Sequence, residues 1–160
     1  MHVLIATDGS RQSLASATYL RAIVDPATVT SVGVVAVLSP LAAVPFVKDD
    51  AEPGSSAQRS YRRAAEEATA EIAAGLEGWG PPVTTHVYSG TPATEILHAA
   101  ERFGSGLIVI ASRSSRRQAV LMGSVAHKVM NQATCPVLVH RATGQPRRAK
   151  KRTAKKASND

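Results

Sequence analysis

The sequence predicts an α/β domain: one parallel sheet with helices on both of its faces. Three observations predict it. Short apolar runs alternate with longer segments whose apolar residues recur at helical spacing. Glycine, proline and serine mark the junctions between the two patterns. The chain has 160 residues, a length that suits one domain.

The elements follow in order. Val3-Leu4-Ile5-Ala6 is a short apolar run that stops at Thr7-Asp8-Gly9-Ser10, as a buried parallel strand followed by a turn does. Leu14, Ala17, Leu20 and Ile23/Val24 mark a first helix, which Pro26 closes. Residues 32–38 are rich in valine and form the second strand, ended by Ser39-Pro40. A loop through residues 48–54 leads to a long helix with Tyr61, Ala65, Ala68, Ile72, Leu76 and Trp79 on one face. Gly80-Pro81-Pro82 breaks it. Residues 83–88 are a more polar strand, which suits an edge. Thr91-Pro92 places a capping residue before a proline at the first helical position, and Ile96, Leu97, Ala100 and Phe103 continue that helix. Residues 107–111 are the fourth strand. Met122, Val125, Ala126, Val129, Met130 and Ala133 give the last helix, and residues 136–140 the fifth strand. Strict alternation of strands and helices predicts the parallel sheet. In such sheets ligands bind beyond the carboxyl ends of the strands, where strand order reverses. Residues 7–10 and 111–124 are therefore the candidate region.

Composition excludes several classes. With 44% apolar and 19% charged residues, the body can bury a core. The longest purely apolar runs are about five residues, against the ~20 of a membrane helix. Residues 1–6 read directly into structure, not into a basic-then-apolar leader. A single cysteine, Cys135, forms no internal disulfide, so a reducing compartment, the cytoplasm, is the default expectation. The net charge of +7 is unevenly placed. Residues 141–160 hold eight of the 19 Lys/Arg and one of the 12 Asp/Glu, leaving eleven of each in the body. The chain divides into a neutral α/β domain, residues 1–140, and a basic tail, residues 141–160, which lacks any apolar period and reads as disordered.

Four blocks carry a family resemblance: Val3-Leu4-Ile5-Ala6-Thr7-Asp8-Gly9-Ser10; Gly90-Thr91-Pro92-Ala93-Thr94-Glu95-Ile96; Leu107-Ile108-Val109-Ile110; and Gly123-Ser124-Val125-Ala126-His127-Lys128-Val129 running to Cys135-Pro136-Val137-Leu138-Val139. In order and spacing they resemble the universal stress protein family over residues 2–140 or so. The resemblance implies a five-stranded parallel sheet of order 3-2-1-4-5 and a homodimer through the last strand, Val137–Val139. It also implies two branches, one of which binds ATP. Members of that branch have glycine, two residues, glycine, nine residues, then glycine and Ser/Thr. Glycines there let backbone N–H groups cradle phosphates at a helix N-terminus.

This chain departs from that pattern. Counting back from Gly123-Ser124 puts the first two glycines at Ile110 and Arg113; aligning on the strand end puts them at Ala111 and Ser114. None of the four is glycine. A non-glycine forced into positive φ costs ~1–3 kcal/mol, so two such changes would weaken binding by about one to four decades. Ser112, Ser114, Ser115, Arg113, Arg116 and Arg117 offer hydroxyls and charge in compensation. Elsewhere the match is closer. The resemblance matches Asp8 to an aspartate at the end of strand one and Val37 to a second-strand valine beside adenine, and Thr7, Gly123, Ser124 and Val125 also match, which implies an intact base and ribose side and an altered phosphate loop. The expected nucleotide site is thus Thr7, Asp8, Val37, Ala111, Arg113, Ser114, Gly123, Ser124 and Val125, with ATP bound weakly or no longer bound.

Each of these residues also has a plainer reading. Asp8 with Ser10 would cap the first helix, Gly123-Ser124 would start a helix in any fold, and the arginines would be a solvated loop. His127-Lys128 suits a solvated helix face. His2, His86, His98 and His140 lack metal-ligand spacing, so no metal is expected. There is no Gly-x-Ser-x-Gly elbow and no Walker loop. The expectation is a stress-response binding module and not an enzyme. A nucleic-acid-associated protein using Arg147, Arg148, Lys150, Lys151, Arg152, Lys155 and Lys156 is the alternative, and a slow ATPase a third. No membrane partner is expected, because the tail has no apolar face.

Overall fold

A computed structural model describes residues 1–39, 56–112 and 122–141. The expected tail and the loop carrying Arg113 and Ser114 lie outside the described residues. The elements are β1 (His2–Thr7), α1 (Arg11–Ile23), β2 (Ser31–Leu38), α2 (Ser56–Gly75), β3 (Val83–Ser89), α3 (Pro92–Arg102), β4 (Ser105–Ala111), α4 (Ser124–Gln132) and β5 (Val137–His140). A single 3-10 turn, Pro26–Thr28, follows α1 and is capped by Asp25, whose Oδ1 accepts from the Ala27 N–H at 2.9 Å. The five strands form one sheet in the order β3-β2-β1-β4-β5, every neighbouring pair parallel. The fold class expected from the alternation is the one observed, and so is the strand order that the resemblance implied.

Each strand sends alternate residues to opposite layers. Val3, Ile5, Val32, Val34 and Val109 meet Leu20 of α1 and Ile72 of α2 in one layer. Leu4, Val35, Ile108 and Ile110 meet Ile96 of α3 and Val129 of α4 in the other. The central strands are buried on both faces, which is why they read as unbroken apolar runs. β3 is an edge strand, as its polarity predicts.

Helix ends show where local chemistry acts. Ser10 caps α1, its Oγ accepting the Ser13 N–H at 3.2 Å. Thr91 occupies the N-cap of α3 with Pro92 after it, but the Thr91 hydroxyl makes no capping bond. α2 stops at Gly75, earlier than the apolar spacing out to Trp79 suggests. Successive i→i−3 bonds, Leu76 N–H to Ala73 and Trp79 N–H to Leu76, tighten the chain while both side chains stay buried. The Arg21 guanidinium donates to the carbonyls of Gly75 at 2.8 Å and Glu77 at 3.3 Å, tying α1 to this end of α2. His127 and Lys128 are exposed on α4, as expected of a solvated face. Cys135 is half-buried before β5, and burial raises its thiol pKa.

At the amino end of the sheet His2 lies across Gly33. A Cβ on Gly33 would stand 3.2 Å from the imidazole, so a side chain there would push the ring by a few tenths of an ångström. His2 Nδ1 is 2.9 Å from Ser105 Oγ, and its ring packs on Phe103, which also meets His86. Burial, then the charge on His86, then the amino terminus lower the His2 pKa; burial alone lowers that of His140. Below the ordinary histidine value the unfolded chain therefore holds more protons than the folded one, and stability rises with pH. The melting temperature is expected to fall as pH drops through about 6.5 toward the lowered folded-state values. Replacing His2 by glutamine should flatten this fall. Thermal melts of both proteins between about pH 7.5 and 5.5 check it.

Candidate functional site

In the order 3-2-1-4-5 the chain leaves β1 toward one side of the sheet and β4 toward the other, so the carboxyl ends of these neighbours splay apart. Ile5 is level with Val109, and two residues further along each strand stand Thr7 and Ala111. Both candidate groups therefore converge at one end of the sheet.

The turn after β1 is held by its own side chains. Thr7 is buried, with its Oγ1 2.9 Å from Ser13 Oγ and accepting the Gly9 N–H at 3.1 Å. Asp8 Oδ1 accepts the Ser10 N–H at 3.0 Å, an Asx turn that leaves the carboxylate exposed. Ser10, not Asp8, is the helix cap. Gly9 has φ +73°, a conformation that favours glycine, and a Cβ there would meet that of Ala68 at 3.4 Å, an ordinary contact. Asp8 makes no ion pair among the described residues.

Beside this turn lies a cavity of about 680 Å3 between the ends of β1 and β2 and the first half of α2. Thr7, Asp8 and Val37 all line it. The opposite wall comes from α2, chiefly Tyr61, Ala65 and Glu71. Its size falls within the roughly 300–1,000 Å3 of small-molecule sites. A second hollow of about 550 Å3, near the C-terminal half of α2 and the start of β3, is lined mainly by alanine, glycine and proline and has Glu77 as its one titratable group.

The second candidate group gathers at the end of β4. The Ser112 N–H donates to the His140 carbonyl at 2.8 Å, and the Gly123 N–H donates to the Ser112 carbonyl at 2.6 Å. These bonds bring Gly123, Ser124 and Val125, the start of α4, back to the strand end beside Ala111. Gly123 is the N-cap and supplies no side-chain bond, so the first-turn N–H groups of α4 keep capacity for an anion. Ala111 is still in β4, and no described non-glycine residue has positive φ. The strain expected of an alanine at 111 is therefore not incurred; a glycine there would matter only for how closely a phosphate approaches the backbone. No group of three or more His, Cys, Asp or Glu that could hold a metal occurs among the described residues.

The sequence reading missed the α2 wall. It placed Tyr61 with Ala65, Ala68, Ile72 and Leu76 on one core face. Ala68, Ile72 and Leu76 are buried, but Tyr61 is 54% exposed and turned to the cavity. The signal was present as an aromatic residue followed by alanines at 64, 65 and 68, a side too shallow to fill space against a sheet.

The cavity is lined by the ends of β1, β2 and β3 and by α2, and neither the end of β4 nor the start of α4 lines it. An α/β domain with a cavity of this size at the carboxyl ends of its strands has the form of a small-ligand-binding module. The chain belongs to the universal stress protein family, whose family model matches residues 1–141. It is 33% identical over 141 residues to universal stress protein MJ0531 of Methanocaldococcus jannaschii, covering 86% of this chain and 79% of that one. The solved structure of the hypothetical protein MJ0577 has a TM-score of 0.74 at 22% identity, over 90% of this chain and 97% of that chain. A universal stress protein family member from Arabidopsis thaliana with AMP bound has a TM-score of 0.60 at 15% identity, over 88% and 91%. At these identities the structural likeness shows the fold. No helix among the described residues is long and apolar enough to cross a membrane.

Proposed function

We propose that this universal stress protein is a binding module and not an enzyme, that it takes an adenine nucleotide weakly, and that it acts as a homodimer through partners. The observation that carries the reading is the cavity at the ends of β1 and β2, which gathers Thr7, Asp8 and Val37. The base and ribose enter between Val37 and α2, Asp8 faces the ribose, and the phosphates reach the amides of Ser124 and Val125. Two glycines of the ATP-binding branch are replaced, at Ile110 and Arg113 or at Ala111 and Ser114 according to the alignment, and this makes the binding weak. The bound AMP of the Arabidopsis relative supports the choice of nucleotide.

Calorimetric titration of the full chain with ATP and AMP tests the reading. Binding is expected to be weaker than in glycine-complete members, because side chains in place of glycine keep a phosphate from the backbone. Val37→Trp, which fills the cavity, should abolish it. Phosphate release from ATP should not exceed that of an Asp8→Ala control. Tight ATP binding by the natural sequence would mean that the serines and arginines after β4 have replaced the glycines. Release well above the control would favour the slow ATPase.

A further inference from the structure

α2 changes role along its length. From Ala68 through Ile72 to Leu76 its inner stripe is buried against the sheet. One turn earlier the same stripe, at 61, 64 and 65, runs past the strand ends and lines the cavity. Three features there are not explained by packing. Tyr61 is among the most exposed large apolar residues of the described chain, and none of its hydrogen bonds or ring contacts is among those of the described residues. The positions beside it are alanines, so the wall is flat. Across the cavity stand Ala36, Val37 and Leu38, also apolar. Tyr61 and these apolar residues line the same cavity, so a planar apolar group that enters it can meet an aromatic side chain.

The charges fix which end of a ligand can lie there. Asp8, Glu67 and Glu71 line the cavity, and only Glu67 has a cationic partner on the described chain, Arg63 Nε at 2.9 Å. An acidic rim opposes a phosphate on the α2 side, whereas the uncapped first turn of α4 favours one at the end of β4.

We infer that Tyr61 is a specificity-determining residue of this site: its ring stacks on the nucleobase and selects ligands that carry a planar heterocycle. The inference rests on the nucleotide reading of the cavity. A base presents a π-face and little charge, which a tyrosine beside a flat apolar wall can cover and the carboxylates do not repel. Tyr61 is exposed on a helix, and alanine is the better helix former, so its replacement leaves the fold intact.

The test is calorimetric titration of the full chain, as wild type, Tyr61→Ala and Tyr61→Phe, with adenosine, AMP and ATP. Tyr61→Ala should weaken all three by the same factor, about tenfold, because the contact is to the base they share. Tyr61→Phe keeps the ring and should stay within about twofold of wild type. Unchanged affinities in Tyr61→Ala, or a loss for ATP without a loss for adenosine, would overturn the assignment while leaving the nucleotide site standing. A wild-type protein that takes up none of the three at millimolar concentration would overturn the nucleotide reading, and the assignment with it.

Discussion

Replacing Val139 by lysine is expected to turn the proposed twofold dimer into a monomer. β5 ends the sheet, so one of its edges pairs with β4 and the other offers unpaired backbone groups. Each of its four residues is only half-buried in the single chain. Val137 and Val139 rest on the layer of α4, and Leu138 on that of α1. A second copy laid against this edge would continue the ladder and cover the remaining apolar surface. The opposite edge is a poorer template, because β3 presents exposed Thr84 and Thr85. In a twofold contact every substitution acts twice. Losing about 1.5 kcal/mol of apolar burial per valine, on both protomers, weakens association by about two decades before any repulsion between the lysines. Sedimentation at micromolar concentration should give one protomer for the variant and two for the wild type, with unchanged circular dichroism. A wild type that sediments as a monomer at that concentration would overturn the dimer.

Sequence pattern reached the fold more easily than the site. Buried parallel strands leave a local trace, because both faces must be apolar; residues 3–6, 32–38 and 107–111 needed no tertiary information. The order of those strands left no such trace and came from the family resemblance. α2 shows the limit of periodicity. A 3.6-residue stripe says which side of a helix faces inward, but not how far the sheet beneath it extends. Tyr61 shares its stripe with Ile72 and yet overhangs the end of β2, so one reads as core and is cavity wall. At the other end Leu76 and Trp79 keep the spacing after the helix has ended, since i→i−3 turns still point them inward.

Thr7 and Asp8 were legible because they end the first strand, and strand ends are where this topology binds ligands, whereas Val37 came from the family resemblance. Bringing Gly123 to Ser112 was not, since that contact closes a loop whose path no residue pattern dictates. Ala111 shows the same gap: a motif gives residue type, whereas the extended backbone there removes the conformational reason for glycine that the type suggests.

Cutting the chain after His140 is expected to abolish retention on nucleic acid while leaving the domain folded. With eleven cations and eleven acids the body is neutral, and the whole surplus of +7 belongs to residues 141–160. The body therefore contributes little long-range attraction for a polyanion. The tail has no aromatic residue, so it has no side chain to stack on bases. It has no apolar face to lay on a membrane either. What Arg147, Arg148, Lys150, Lys151, Arg152, Lys155 and Lys156 can do is displace counterions from a phosphate backbone, without regard to sequence. If about five of them contact phosphates on a DNA duplex, log K should fall against log salt with a slope of about −4 to −5. Affinity should be equal for unrelated duplexes of the same length. Replacing Lys150 and Lys151 by alanine should lower the slope by about two while leaving nucleotide binding to the domain unchanged. The decisive comparison is full-length against truncated protein on immobilised DNA at low salt. Equal retention of the two would show that the tail is not the binding element and would leave its charge to serve solubility alone.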